Sequence, residues 1–170
     1  MLDNLKKALE TLRDNVVNAS KKNLQGAKKI TTGDLYNSIK GSEVKVTDKS
    51  IQFNIEMEDY GTFVDKGVNG KKSAFTTPYS YKDKMPPPSK LDKWIVKKGI
   101  APRDEKGKFI DRKSLQFLIA RSIFNNGFKP TLFFTKPFEE EYKKLEGQLD
   151  NILFKDAEDM INFVIKQNRK

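Results

Sequence analysis

The sequence predicts an α+β fold: a small antiparallel β-sheet packed by helices, with long N-terminal and C-terminal amphipathic helices. Three stretches carry that expectation. Between Ile51 and Glu58 the apolar Ile51, Phe53, Ile55 and Met57 alternate with Gln52, Asn54, Glu56 and Glu58, the pattern of a strand with one buried face. From Leu2 to about Leu24, the residues Leu2, Leu5, Leu9, Leu12, Val16 and Ala19 recur every three or four positions, as on one side of a helix. From Phe138 to about Gln167, the residues Phe138, Tyr142, Leu145, Leu149, Ile152, Met160 and Val164 are spaced at threes and fours or multiples of them, with a one-residue slip. The length suits one domain, 1–138, with 139–170 as a C-terminal helical extension.

After the first helix, Thr31-Thr32-Gly33-Asp34 reads as a turn with candidate N-caps, and Leu35, Tyr36 and Ile39 as a short helix stopped near Gly41. Val44 and Val46 alternate with polar residues, and Asp48-Lys49-Ser50 is a turn signal, so a hairpin is expected with the strand from Ile51 at the centre of the sheet. Tyr60, Phe63 and Val64 suggest about two helical turns closed by Gly67, with Asp59 as N-cap and Asp59 and Asp65 flanking the helix. Residues 68–88 have no sustained period but hold Phe75, Tyr79 and Tyr81. An aromatic-bearing loop of this length is expected to be an interaction arm, folded against a partner.

Three prolines end the arm. Ser89 and Asp92 form a capping pair for a helix bearing Leu91, Trp94 and Ile95 and ending at Gly99, in which Trp94 is a core or interface anchor. Residues 100–113 read as a second loop turning at Lys106-Gly107. Ser114 to Asn126 is a helix apolar on two faces, with Leu115, Leu118, Ile119 and Ile123 on one and Phe117, Ala120 and Phe124 on the other, so it is expected to be covered on both. Gly127 caps it, and Leu132, Phe133 and Phe134 suggest a buried or interface strand. Gly147 is a weak point in the last helix.

Composition excludes much chemistry. There is no Cys and no His, so disulfides, thiolate ligands, imidazole ligands and the usual proton shuttle are absent. The longest apolar runs are about four residues, so no segment is expected to target, anchor in or span a membrane. Charge is uneven: residues 71–113 hold 13 basic and 5 acidic side chains, residues 137–170 hold 6 and 8, and the whole chain is +10. Such a basic segment either faces a polyanion or simply solvates a loop.

The carboxylates Glu56, Glu58, Asp59 and Asp65 are the only candidates for a divalent-ion site, and a solvated strand face explains the first two better. Gly70-Lys71-Lys72-Ser73 lacks the upstream glycine of a phosphate-binding loop, and a serine nucleophile would have no histidine. No catalytic, cofactor-binding or metal-binding residue is expected, and no enzymatic activity.

The order of elements, with GDLYNSI as the short helix and EDYGTFVDKGVNG at the strand end, resembles the small tail-completion or head-tail joining proteins of tailed bacteriophages. In that family a strand runs into a helix with a pattern like A-x-Y-A-x-x-V-E-x-G and a proline-phenylalanine segment closes the domain. Tyr60, Phe63, Val64, Asp65 and Gly67 fill the first pattern, with Asp65 where Glu is usual, and Pro137-Phe138 fill the second. FLIARSIFNNGFKPTLFFTKPF is also similar to a segment common in such proteins, and the likeness spans most of residues 1–140. The arm at 68–88 and the extended C-terminal helix depart from the pattern.

The resemblance implies a non-enzymatic structural component of the virion, made in the host cytoplasm and forming a ring at the head-tail junction or the top of the tail. Its partners, met through the 68–88 arm and the C-terminal helix, would be further copies of itself, in a hexamer or dodecamer, portal, adaptor or tail-tube proteins, and DNA in transit through the channel, with no membrane and no cofactor. Candidate subunit-interface residues are Phe75, Tyr79, Tyr81, Trp94, Phe117, Phe124, Phe133 and Phe134; candidates for the DNA channel or an acidic partner are Lys71, Lys72, Arg103, Lys106 and Lys108. The alternative is a basic nucleic-acid-binding module using residues 71–113.

Overall fold

A computed structural model describes residues 2–27, 33–47 and 49–168. The α+β class holds: helices dominate, and the strands are short and antiparallel. The chain divides into two compact units, one made of Met1–Gly26, Tyr36–Glu58 and Phe133–Lys170, the other of Ala27–Leu35 and Asp59–Leu132. The expected partition into 1–138 plus an extension is therefore corrected. The C-terminal helices are half of the first unit, because they supply the apolar surface that the N-terminal helix needs.

In the first unit α1 (Asp3–Gly26) buries Leu12, Val16, Ser20 and Leu24, close to the predicted stripe, although Ser20 rather than Ala19 takes the innermost place. The expected single C-terminal helix is broken into α6 (Thr135–Glu146) and α7 (Leu149–Gln167) at Gly147 and Gln148, where glycine lowers helix propensity. Together these helices run antiparallel to α1. Asn23 Nδ2 donates to the Phe133 carbonyl at 3.4 Å, Asn15 Nδ2 to Glu141 Oε2 at 2.8 Å, and the start of α1 meets Asp156.

Asp156 is buried and takes both leading amides of α1: Oδ1 accepts from the Asn4 N–H at 2.9 Å and Oδ2 from the Leu5 N–H at 3.0 Å. Asn4 Nδ2 adds a further bond to Oδ1 at 2.9 Å. First-turn amides have no partner within their own helix, so a carboxylate from α7 caps α1 through tertiary structure.

The hairpin forms, with one correction. β1 (Lys40–Gly41) pairs with β4 (Ile55–Glu56), and β2 (Lys45–Val46) with β3 (Ile51–Gln52), all antiparallel. Between Gly41↔Ile55 and Val46↔Ile51 the register slips by one residue, so one strand carries a bulge around Ser42 to Val44. Ser42 closes it, its N–H donating to the Asn54 carbonyl and its Oγ accepting from the Asn54 N–H, both at 2.8 Å. The stretch from Ile51 alternates as predicted, half-buried and exposed in turn, but it is one side of a two-stranded ribbon and not a central strand.

α2 (Asp34–Ser38) ends before Gly41, which lies in β1, where the Arg13 side chain packs over the site a Cβ would occupy. The proposed caps Thr31 and Thr32 and the turn residue Asp48 lie outside the described residues.

The second unit is organised by α3 (Gly61–Lys66) and α5 (Arg112–Asn126), whose C-terminal exits are joined. Val68 and Phe128 exchange backbone hydrogen bonds at 2.9 and 2.8 Å. Gly67 and Gly127 permit this, since both have positive φ and a Cβ on Gly127 would sit 2.1 Å from the Val68 carbonyl oxygen. The segment 128–134 is thus not the expected strand. It clamps the end of α3, with the Thr131 and Leu132 amides donating to the Asp65 carbonyl at 3.0 and 2.9 Å and Thr131 Oγ1 to the Val64 carbonyl at 2.7 Å.

Two expected caps are corrected. Tyr60, not Asp59, stands at the N-cap of α3, and Asp65 lies inside that helix and is buried. Ser89 and Asp92 do not cap α4 (Asp92–Lys97), which follows a 3-10 turn over Pro88–Leu91; Asp92 instead accepts from Gln116 Nε2 at 2.7 Å on α5. α5 is capped by Asp111, which accepts from the Lys113 and Ser114 amides.

Candidate interaction surfaces

The arm at 68–88 is folded onto its own unit. Asn69 is its hub: its N–H donates to the Tyr79 carbonyl and its carbonyl accepts from the Tyr81 N–H, each at 2.9 Å, while Oδ1 accepts from the Phe75 amide. The Lys71 and Lys72 amides donate to the Phe124 and Asn125 carbonyls at 3.0 and 2.7 Å, and Ser73 Oγ donates to the Asn126 carbonyl. These are the carbonyls that the last turn of α5 leaves without an intrahelical partner. The arm's first task is therefore to finish a helix.

Its rings are engaged in the same way. Tyr79 meets Phe63 edge-on at 4.7 Å between centroids, and Tyr81 lies 6.4 Å from Phe124. Burial raises the Tyr81 phenol above its ordinary pKa. Phe75, Tyr79, Tyr81 and Phe124 are half-buried within the unit, so the surface the arm folds against belongs to its own unit and not to the expected partner.

Of the other interface candidates, Phe133 is fully buried and so is a core residue, another correction, and Phe134 is half-buried, stacked 5.9 Å from Phe138. Trp94 and Phe117 remain exposed. The expectation that α5 is covered on both faces holds for Leu115 and Ala120 but fails for Phe117 and Leu118, which stand on its outward side.

The proposed basic contacts are all exposed. Lys71 Nζ sits 5.0 Å over the Phe124 ring. Arg103 stacks 3.8 Å over Phe109 and donates to the Gly107 carbonyl at 2.7 Å, within a small hairpin loop where Asp104 Oδ1 accepts from the Lys106 and Lys108 amides. The loop turns at Gly107, as predicted. Surplus positive charge is confined to one unit: the second contains 18 basic and 8 acidic side chains, the first 15 of each.

Glu56, Glu58 and Asp59 are exposed, whereas Asp65 is buried. Among the described residues no group of three or more His, Cys, Asp or Glu is placed to hold a metal ion, and no helix is long and apolar enough to cross a membrane.

Exposed apolar side chains concentrate on α7, within the C-terminal helix expected to take part in association. On α7, Phe154 is 71% exposed, Ile161 61%, Phe163 60% and Val164 55%, with Leu153, Met160 and Ile165 also open. Every residue from Ala157 to Asn168 is exposed. The signal was present in the spacing of Phe154, Ile161 and Ile165, which fall off the stripe that faces α1 and form a second one. Comparison with protein-family models, curated proteins and solved structures finds no match.

Proposed function

We propose that the chain is a non-enzymatic assembly subunit that forms a ring at the head-tail junction or tail top of a tailed phage, joined to portal, adaptor or tail-tube proteins. The observation that carries this reading is the apolar surface left open along α7, with Phe117 and Leu118 open separately on α5. A soluble monomer rarely exposes contiguous apolar patches larger than a few hundred Å2, and larger ones mark interaction sites. The absence of His and Cys from the sequence and the motif around Tyr60 to Gly67 support it further. Lys71, Lys72, Arg103, Lys106 and Lys108 then face the channel DNA or acidic neighbours.

Light scattering after size exclusion at several concentrations, with pull-down of tail-tube or portal subunits, tests the reading. Concentration-dependent oligomers that appear as rings in electron micrographs are expected. A strict monomer that captures neither partner would refute it.

The confinement of surplus positive charge to the second unit favours one other reading, a nucleic-acid-binding module using residues 71–113. It requires DNA or RNA affinity that falls steeply with salt and is lost on charge reversal at Lys71, Lys72, Lys106 and Lys108. No binding near 50 mM salt, a condition of low screening, removes it.

A further inference from the structure

We infer that the outward stripe of α7 docks on the outward stripe of α5 in a second copy of the chain, head to tail. The inference builds on the reading of the chain as a self-assembling subunit and names the two surfaces that meet. Its basis is a matched spacing. At about 3.6 residues per turn, positions four apart lie on one side of a helix. α7 presents Asp150, Phe154 and Glu158 at that interval, acid, ring and acid, and all three are exposed. α5 presents Lys113, Phe117 and Arg121 at the same interval, base, ring and base, again all exposed. Leu118 lies beside Phe117, and Ala157, Ile161 and Ile165 lie beside or beyond Phe154, so each charged stripe borders an apolar one. Lys155 and Lys166 lie about 100° around α7 from Phe154 and Ile165, so Asp150 and Glu158 are the charges nearest that stripe.

Charge chooses the occupant. Two α7 stripes laid together would set Asp150 and Glu158 of one copy near the same carboxylates of the other. Laying α7 on α5 pairs them with Lys113 and Arg121, in the unit that holds all the surplus positive charge. Area agrees. With Leu153, Phe154, Met160, Ile161, Val164 and Ile165 between 40% and 71% exposed, α7 offers on the order of 600 Å2 of apolar-residue surface, near the roughly 800 Å2 per partner of a standard interface. Because the two surfaces differ, the contact is heterologous, the kind that builds a ring when the rotation between copies closes.

The natural absence of cysteine gives a direct test. Chains carrying Ala157→Cys are mixed with chains carrying Ser114→Cys or Leu118→Cys and oxidised, and each variant is also oxidised alone. The expected result is disulfide dimers from at least one mixture and none from single variants. In parallel, Asp150→Lys with Glu158→Lys should weaken self-association about tenfold or more, and adding Lys113→Glu with Arg121→Glu to the same chain should restore it, with circular dichroism unchanged throughout. Self-association with crosslinks only from Ala157→Cys alone would leave the assembly reading standing and overturn this docking. An unmodified chain that is monomeric at every concentration would overturn both.

Discussion

Replacing Asp156 with Ala removes the carboxylate that holds the start of α1, and the cost can be worked from its contacts. Asp156 is buried, and its two oxygens accept the Asn4 and Leu5 amides and the Asn4 side-chain amide at 2.9 to 3.0 Å. Loss of a capping side chain costs about 0.5–2 kcal/mol, and hydrogen bonds to a charged group contribute about 1.5–3 kcal/mol. These overlap, so about 2–4 kcal/mol is expected. At roughly 2–4 °C per kcal/mol for a chain of this size, the melting temperature should fall by about 4–16 °C.

The effect should also depend on pH. Burial alone would raise the Asp156 pKa, but the bonds from Asn4 and Leu5 outweigh it and hold the carboxyl below its ordinary value. A depressed folded pKa contributes stability that is present above the unfolded value, near 3.9, and is lost as pH falls through the folded one. Thermal melts of the wild type and Asp156→Ala followed by circular dichroism should therefore differ most near pH 7 and converge at acid pH. A melting temperature within about 1 °C of wild type at pH 7, or a difference unchanged down to pH 2, would refute tertiary capping of α1.

Three further outcomes follow from the packing. Gly127→Ala forces a Cβ to 2.1 Å from the Val68 carbonyl oxygen at φ +65°, and should cost about 3 kcal/mol or more in urea unfolding. Phe133→Ala should cost about 3–5 kcal/mol, because the ring is fully buried, whereas Phe117→Ala should change monomer stability by less than about 1 kcal/mol; equal costs would contradict the assignment of one ring to the core and the other to the surface. Asn69→Ala removes the acceptor for the Phe75 amide and should speed limited proteolysis between Lys71 and Lys84, with a stability loss of about 1–2 kcal/mol; an unchanged cleavage rate would contradict the role of Asn69 as hub.

For the arm at 68–88, composition did not say which surface it folds against. A solvated or partner-bound loop and a loop that finishes a neighbouring helix have the same composition. What distinguishes them is the location of the acceptors, here the Phe124, Asn125 and Asn126 carbonyls more than fifty residues further along the chain. Phe133 misled for a related reason. Three bulky residues in a row signal burial, but not whether a core or a neighbour covers them. The candidate surface was legible only in part: the C-terminal helix was expected to take part in association, but its repeat did not say which of its side chains, Phe154, Ile161 and Phe163 among them, stay in water.

Properties with a short repeat were determined by the sequence alone: the helices at both ends, the alternation from Ile51 to Glu58, the glycine stops at Gly67 and Gly127, and the absence of thiol and imidazole chemistry. Each depends on neighbours within a few residues, so the local backbone preference and the side-chain pattern already contain the answer. Tertiary structure alone decided which helix covers α1, which distant carboxylate caps it, where the arm spends its amides and which apolar side chains stay in water. Those outcomes depend on surfaces competing for one another across more than a hundred residues, and the periodicity of one segment does not say which competitor wins.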